Sequence, residues 1–220
     1  MKQLVFLVNI TKIEHILNFS NFYYITDKKF TINADNIIKV DVEDKYENLA
    51  LKTFLGYKEF KRKNIKFDFL CRVDTDTYID FKNLYNSKFE NRKNYGFINY
   101  GNSFLHEKNF NKFPFSPGFT EYFLGGGYMI NKDSFNNLKI DHFINLIYGN
   151  IEKNVDMCFE DVITSLALKE QNQTMVHSGA WIDKKNNCTS SCNNSFFHSL
   201  KFYNEKKFKL INKLQNKNLA

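Results

Sequence analysis

Phe67-Asp68-Phe69-Leu70-Cys71-Arg72-Val73-Asp74-Thr75-Asp76 reads as a short apolar run that ends abruptly in two carboxylates. Residues 67–73 have the length and side-chain types of a buried strand, which puts Asp74 and Asp76 at a strand's carboxyl end. In open α/β sheets, ligands bind in the crevice outside the carboxyl ends of the strands, so this tip is where chemistry is expected. Two acids two residues apart lie on one side of an extended chain, or fan around one point if the chain turns. Such a pair favours a cation, and hard oxygen ligands suit Mg²⁺ or Mn²⁺. A solvated turn can carry the same pattern, so the pair alone does not decide.

The flanking sequence sets this strand in an α/β domain. Residues 4–8, 22–25 and 37–42 read as further strands, and Ile13, Ile16 and Leu17 have the spacing of one helix face between the first two. Asp44 followed by Glu47 resembles an Asp variant of a capping box. Leu51, Phe54 and Leu55 give an apolar stripe to a helix over about 44–60. No repeat, low-complexity tract or linker divides the chain. Its 220 residues, 43% hydrophobic and 17% aromatic, suffice for one core, which excludes both a disordered chain and two large domains.

No run reaches the roughly 18–20 apolar residues that cross a bilayer, and Asn9 interrupts residues 4–8 before a signal-peptide core can form. The expectation is a cytoplasmic protein without a transmembrane segment, with peripheral membrane association left open. A net charge of +7 suits an anionic partner. Lys and Arg are nevertheless spread along the chain, only mildly concentrated at 58–66 and 201–217, so nucleic acid is not expected. Cys71 and Cys158 lie in apolar runs and read as buried thiols. Cys188 and Cys192, spaced Cys-x3-Cys, leave open a zinc site with a partner such as His198, a small disulfide loop, or free thiols.

Three later patterns carry candidate chemistry. Gly125-Gly126-Gly127 enters the apolar Tyr128-Met129-Ile130, which fits a ligand-facing loop and equally a tight turn. Glu160-Asp161 precedes Val162, Ile163, Leu166 and Ala167, so both acids fall in a helix's first turn. There they complement the dipole, or one serves as a general base. His198, within Phe196-Phe197-His198-Ser199, is a hydrogen-bonded core residue or a metal ligand.

Taken in order, these pieces resemble the β-1,3-galactosyltransferase and Fringe group, glycosyltransferase family 31, from about Asp44 to Ser199. The segment from Asp44 to Thr53 is similar to the family's Asp-x-Tyr-x-Asn-Leu-Thr-Leu-Lys-Thr, with Ala50 in place of a Thr. Arg72-Val73-Asp74-Thr75-Asp76-Thr77-Tyr78-Ile79 is similar to its Lys-x-Asp-Asp-Asp-Thr-Phe-Val metal motif, with Thr75 in place of the middle Asp. The glycine run stands where the family has Gly-x-Gly-Tyr-Val, Glu160-Asp161-Val162 matches Glu-Asp-Val, and Phe197-His198-Ser199 matches Phe-His-Ser.

The resemblance implies a GT-A fold, a Rossmann-like mixed sheet flanked by helices in a single α/β domain over 1–220, with a Lys-rich segment from about 201. It implies an inverting, metal-dependent glycosyltransferase that moves a hexose or N-acetylhexosamine from a UDP-sugar to a hydroxyl of a glycan or glycoconjugate, forming a β-1,3 linkage. The implied cofactor is Mn²⁺, or Mg²⁺, and a bacterial or viral setting would suit a cytoplasmic enzyme. By matching position, Asp76 is the principal metal ligand and His198 completes the metal site. Asp74 lies near the ribose or sugar and shares the metal shell, and Arg72 stands with the donor-binding residues. Asp161 is the base with Glu160 as runner-up, and Gly125, Gly126 and Gly127 let backbone approach the donor. The alternative is a catalytically inactive nucleotide-sugar binding module on the same fold, motivated by Thr75.

Overall fold

The apolar runs pair into one sheet. In the computed structural model, which describes residues 2–12, 15–16, 20–75, 77–79, 81–100, 121–153, 159–178, 180–181 and 197–199, seven strands lie in the order β3-β2-β1-β4-β7-β6-β8. The strands are β1 (Leu4–Asn9), β2 (Phe22–Asp27), β3 (Ile37–Val40), β4 (Phe69–Val73), β6 (Lys93–Tyr100), β7 (Glu121–Asn131) and β8 (Thr174–His177). The first four are mutually parallel; β7 runs antiparallel to β4 and β6, and β8 is parallel to β6. The chain builds outward from β1 to β2 and β3 on one side and to β4 on the other. The crevice at the carboxyl ends of β1 and β4 is therefore a topological switch point.

Parallel strands covered on both faces should be continuously apolar, and β1 is, with Leu4 to Val8 all buried. Val5, Leu7, Leu70, Tyr128 and Ile130 face one layer, made by α1 (Leu49–Arg62), α3 (Lys132–Asn137), α4 (Ile140–Ile151) and α5 (Glu160–Lys169). Leu4, Phe6, Val8, Phe69, Cys71 and Met129 face the other, where Leu84 of α2 (Phe81–Asn86) packs. Aromatic edges fill the first layer: Phe60 of α1 meets Tyr23, Phe67 and Phe135 at centroid distances of 5.3, 5.7 and 6.0 Å.

Three expectations change. The capping box does not form: the Asp44 carboxylate instead accepts from Lys52 Nζ at 2.7 Å, and that buried ammonium also donates to the Ile10 carbonyl at 2.9 Å. With Asp44 so engaged, a 3-10 turn at Tyr46–Asn48 comes first and α1 begins only at Leu49. The glycine run is not a loop but the interior of β7, where Gly127 pairs with Val73. Third, the helix expected between β1 and β2 falls partly on residues 13, 14 and 17–19, outside those described. What is described there is a bend and a short turn closed by His15 N–H to the Lys12 carbonyl at 3.3 Å.

A second sheet caps the carboxyl end of β4. β5 (Thr77–Ile79) pairs antiparallel with β10 (Phe197–Ser199), which runs parallel to β9 (Ala180–Trp181). Cys71 is a buried free thiol and Ala50 is fully buried, as a packing position should be. Cys158, Cys188, Cys192 and the Lys-rich stretch from 201 lie outside the described residues. No helix among the described residues is long and apolar enough to cross a membrane.

Candidate active site at the carboxyl end of strand β4

Strand alternation explains how the site begins. Leu70 and Arg72 point to the same face of β4, so a guanidinium stands where an apolar side chain would otherwise meet the helical layer. Arg72 is completely buried, and a buried cation must be paired. Its Nη1 donates to Asp74 Oδ1 at 2.8 Å and its Nη2 lies 3.0 Å from Glu160 Oε1, the first residue of α5. Burial alone would push the guanidinium pKa down, but Glu160 and Asp74 more than reverse this and hold Arg72 charged.

Directly opposite Arg72 across the β4–β7 register stands Tyr128, the residue that follows the glycine run. Its hydroxyl donates to Glu160 Oε2 at 2.7 Å. With that single proton committed, Tyr57 of α1, 2.8 Å away, is the donor to Tyr128. Thr164 Oγ1 lies 3.2 Å from the same hydroxyl. Burial, followed by the Glu160 charge, pushes both tyrosines up, so they remain protonated donors. Glu160 thus has both oxygens engaged and is almost fully buried. Burial raises its pKa while Arg72 opposes the rise.

Asp161, one residue on, is different. It is only half-buried, and the recorded partner of its Oδ1 is the Val162 N–H at 2.8 Å. Burial and then the neighbouring Glu160 charge push its carboxyl up to about 7, far above the usual carboxylate range. A base poised near neutral pH combines a useful deprotonated fraction with real proton affinity. Of the two acids in this turn, Asp161 has the access and basicity for proton transfer, and Glu160 is occupied.

Asp74 closes the tip. Its carbonyl accepts from the Thr77 N–H at 3.1 Å, its own N–H donates to Thr77 Oγ1 at 3.2 Å, and that buried hydroxyl in turn donates to the Gly126 carbonyl. Gly127, at φ 154°, adopts a backbone that L side chains rarely take, which is why glycine is needed beside the tip. Asp74 is partly exposed and spends Oδ1 on Arg72, while Oδ2 has no recorded partner among the described residues. Asp76 lies outside the described residues. His198 is described by its backbone alone, opposite Tyr78 in the β5–β10 register, with Ser199 opposite Thr77. The late Phe-His-Ser segment is therefore brought to the strand that follows the acidic tip. No three His, Cys, Asp or Glu side chains among the described residues are placed to hold one metal ion, and those residues leave out the side chains of Asp76 and His198.

Arg72, expected among the donor-binding residues, is completely buried and links Asp74 to Glu160. Sequence reasoning missed Tyr57, Tyr128 and Thr77. The signal available was Arg72 itself, a charge inside an otherwise apolar strand that demands a buried acid and polar neighbours.

Comparison with known proteins agrees with this architecture. No curated protein matches the chain significantly. Among solved structures, the fold is similar to that of a glycosyltransferase involved in the glycosylation of the major capsid of PBCV-1. The TM-score is 0.56 at 10% identity, over 96% of this chain and 99% of that one. The family profile described as Galactosyltransferase matches residues 27–170, from the end of β2 through α5, and so spans the acidic tip, the glycine strand and the Glu160-Asp161 turn. With well over half its length matched, the chain belongs to the galactosyltransferase family.

Proposed function

We propose that this protein is an inverting glycosyltransferase that moves a hexose or N-acetylhexosamine from a UDP-sugar to a glycan hydroxyl, forming a β-1,3 linkage. The observation that carries the reading is Asp161: half-buried, raised to about 7, and set one residue after a carboxylate tied through Arg72 to the Asp74 tip. Family membership supports the glycosyl-transfer class.

In this reaction Asp161 accepts the proton of the acceptor hydroxyl as the new bond forms at the anomeric carbon and the bond to UDP breaks on the opposite face. Asp74, Asp76 and His198 would hold a Mn²⁺ or Mg²⁺ ion. Asp74 Oδ2, without a partner among the described residues, and the approach of the His198 backbone to the tip suit a hard-oxygen and imidazole donor set. Such an ion, when bound, neutralises the charge that develops on the departing diphosphate. The Asp74–Thr77 turn and the Thr77–Gly126 link fix the tip against β7, and Gly127 keeps the backbone there free of a side chain.

A panel of UDP-sugars with Mn²⁺, scored by UDP release, tests the proposal. The wild type turns over one donor, with kcat rising with pH through about 7 as Asp161 loses its proton. Asp161→Asn binds UDP but does not transfer, and Asp76→Asn loses both metal-dependent UDP binding and transfer. Full-rate transfer by Asp161→Asn would overturn the base. Tight UDP binding with no turnover toward any acceptor would make the protein a nucleotide-sugar binding module.

A further inference from the structure

Arg72 joins two elements that the proposed reaction uses separately. One arm of the guanidinium holds Asp74 on β4 and the other reaches Glu160 on α5, at 2.8 and 3.0 Å. Glu160 and Asp161 share a peptide unit in the first turn of α5, so whatever fixes Glu160 also fixes where Asp161 begins. An acid that only complemented a helix dipole would stay in solvent, yet the Glu160 side chain is 3% exposed. A base would need an open oxygen, and both of its oxygens are taken, one by Arg72 and one by the Tyr128 hydroxyl at 2.7 Å. Tyr57 buttresses Tyr128 from α1 at 2.8 Å, and the Tyr128 ring stacks on Phe123 with centroids 5.5 Å apart. An apolar pair of similar volume often packs as well or better, which points to the geometry this buried charge imposes rather than to stability as its use.

We propose that Glu160, Arg72 and Tyr128 are positioning residues that lock the first turn of α5 to the tip of β4, so that Asp161 and Asp74 keep a fixed separation. This role rests on the glycosyl-transfer reading above. Its consequence is that the acceptor-activating and donor-holding ends of the site behave as one rigid unit, which transfer needs because small misplacements of reacting groups are costly in rate.

The test is kinetic, on Tyr128→Phe, Glu160→Gln, Arg72→Met and the double variant Glu160→Gln/Arg72→Met. kcat and donor KM are measured for each and normalised to the folded fraction from circular dichroism melts. Tyr128→Phe keeps the stacked ring and lowers kcat about 3- to 10-fold, with donor KM within about 2-fold. Glu160→Gln lowers kcat about 10- to 100-fold at nearly unchanged donor KM, because Arg72 still holds Asp74. Arg72→Met worsens both kcat and donor KM. The double variant is within about 3-fold of Arg72→Met alone, since both changes break one linkage. A merely structural role gives wild-type kcat per folded molecule in Tyr128→Phe and Glu160→Gln, or additive losses in the double variant, and either result overturns the proposal. Tyr128→Phe alone decides if the Glu160 variant does not fold. A wild type that releases UDP from no donor overturns the transfer reading and the positioning role with it, whereas an active wild type with additive variants overturns only the latter.

Discussion

Asp161→Asn is expected to stop transfer and, at the same time, to stabilise the fold above pH 7. The carboxyl moves from an ordinary 3.8 to about 7 on folding. A shift of about three units at roughly 1.4 kcal/mol each sets an upper bound of about 4 kcal/mol. Asp161 keeps some solvent access, so about 1–3 kcal/mol is the working figure. The sign follows from proton linkage. Between about pH 4 and pH 7 the folded chain holds a proton that the unfolded chain has released, so wild-type stability falls as pH rises through that window, and the penalty is complete above it. Asparagine carries no charge and keeps an oxygen for the Val162 N–H, so the variant loses the penalty and retains the bond. At ~2–4 °C per kcal/mol for a chain of this size, the variant should melt about 3–10 °C above wild type at pH 8 and near it at pH 4. Thermal melts from pH 4 to pH 8 without divalent metal read this directly. A variant melting at or below wild type at pH 8, or a gap that does not close toward pH 4, refutes the placement of a strained carboxylate at this turn.

Two further substitutions probe the supports of the site. Gly56→Ala on α1 puts a methyl group within 2.7 Å of Ile25 Cγ1 and 2.9 Å of its Cγ2, and a β-branched core residue of β2 cannot swing aside. Overpacking of about 1–3 kcal/mol outweighs roughly 1 kcal/mol of gained helix propensity, so urea denaturation should show a net loss, and a stabilised variant would contradict the close α1–β2 contact. Thr77→Val removes the hydroxyl that links the Asp74 N–H to the Gly126 carbonyl, leaving a buried carbonyl unpaired at a cost of about 1–3 kcal/mol. Donor KM should rise while kcat changes little, and Thr77→Ser should restore both; an unchanged KM in the valine variant would mean the turn does not hold Asp74.

The parts of the fold that sequence disclosed are those fixed by local pattern. The runs at 4–8 and 22–25, and 37–42 over its first four residues, are parallel strands because their apolar side chains cover both faces, and Glu160-Asp161 falls in a helix's first turn because the apolar spacing after them is helical. What pattern could not disclose depends on distant partners. Asp44 has the spacing of a capping residue, but a buried Lys52 competes for its carboxylate and is itself tied to the Ile10 carbonyl from the end of β1. By pattern the glycine run fits a ligand-facing loop or a tight turn. It can lie inside β7 because the backbone of Val73 on β4 pairs with Gly127 and the Thr77 hydroxyl on β5 meets the Gly126 carbonyl.

The division of labour between Glu160 and Asp161 shows most clearly why chemistry needs the fold. Two adjacent acids at a helix start are equivalent in sequence, and both complement the dipole. The fold separates them by bringing the Arg72 guanidinium to a Glu160 oxygen, 3.0 Å away. Arg72 can neutralise Glu160 and hold one oxygen of Asp74, but three carboxylates share this one guanidinium. At Asp161, burial and then the neighbouring Glu160 charge raise proton affinity toward neutrality, whereas Asp74 gives one oxygen to Arg72 and stays partly exposed. The distinction between Glu160, buried and held by Arg72 and Tyr128, and the more exposed Asp161 and Asp74 exists only once β4, β7 and α5 are packed together.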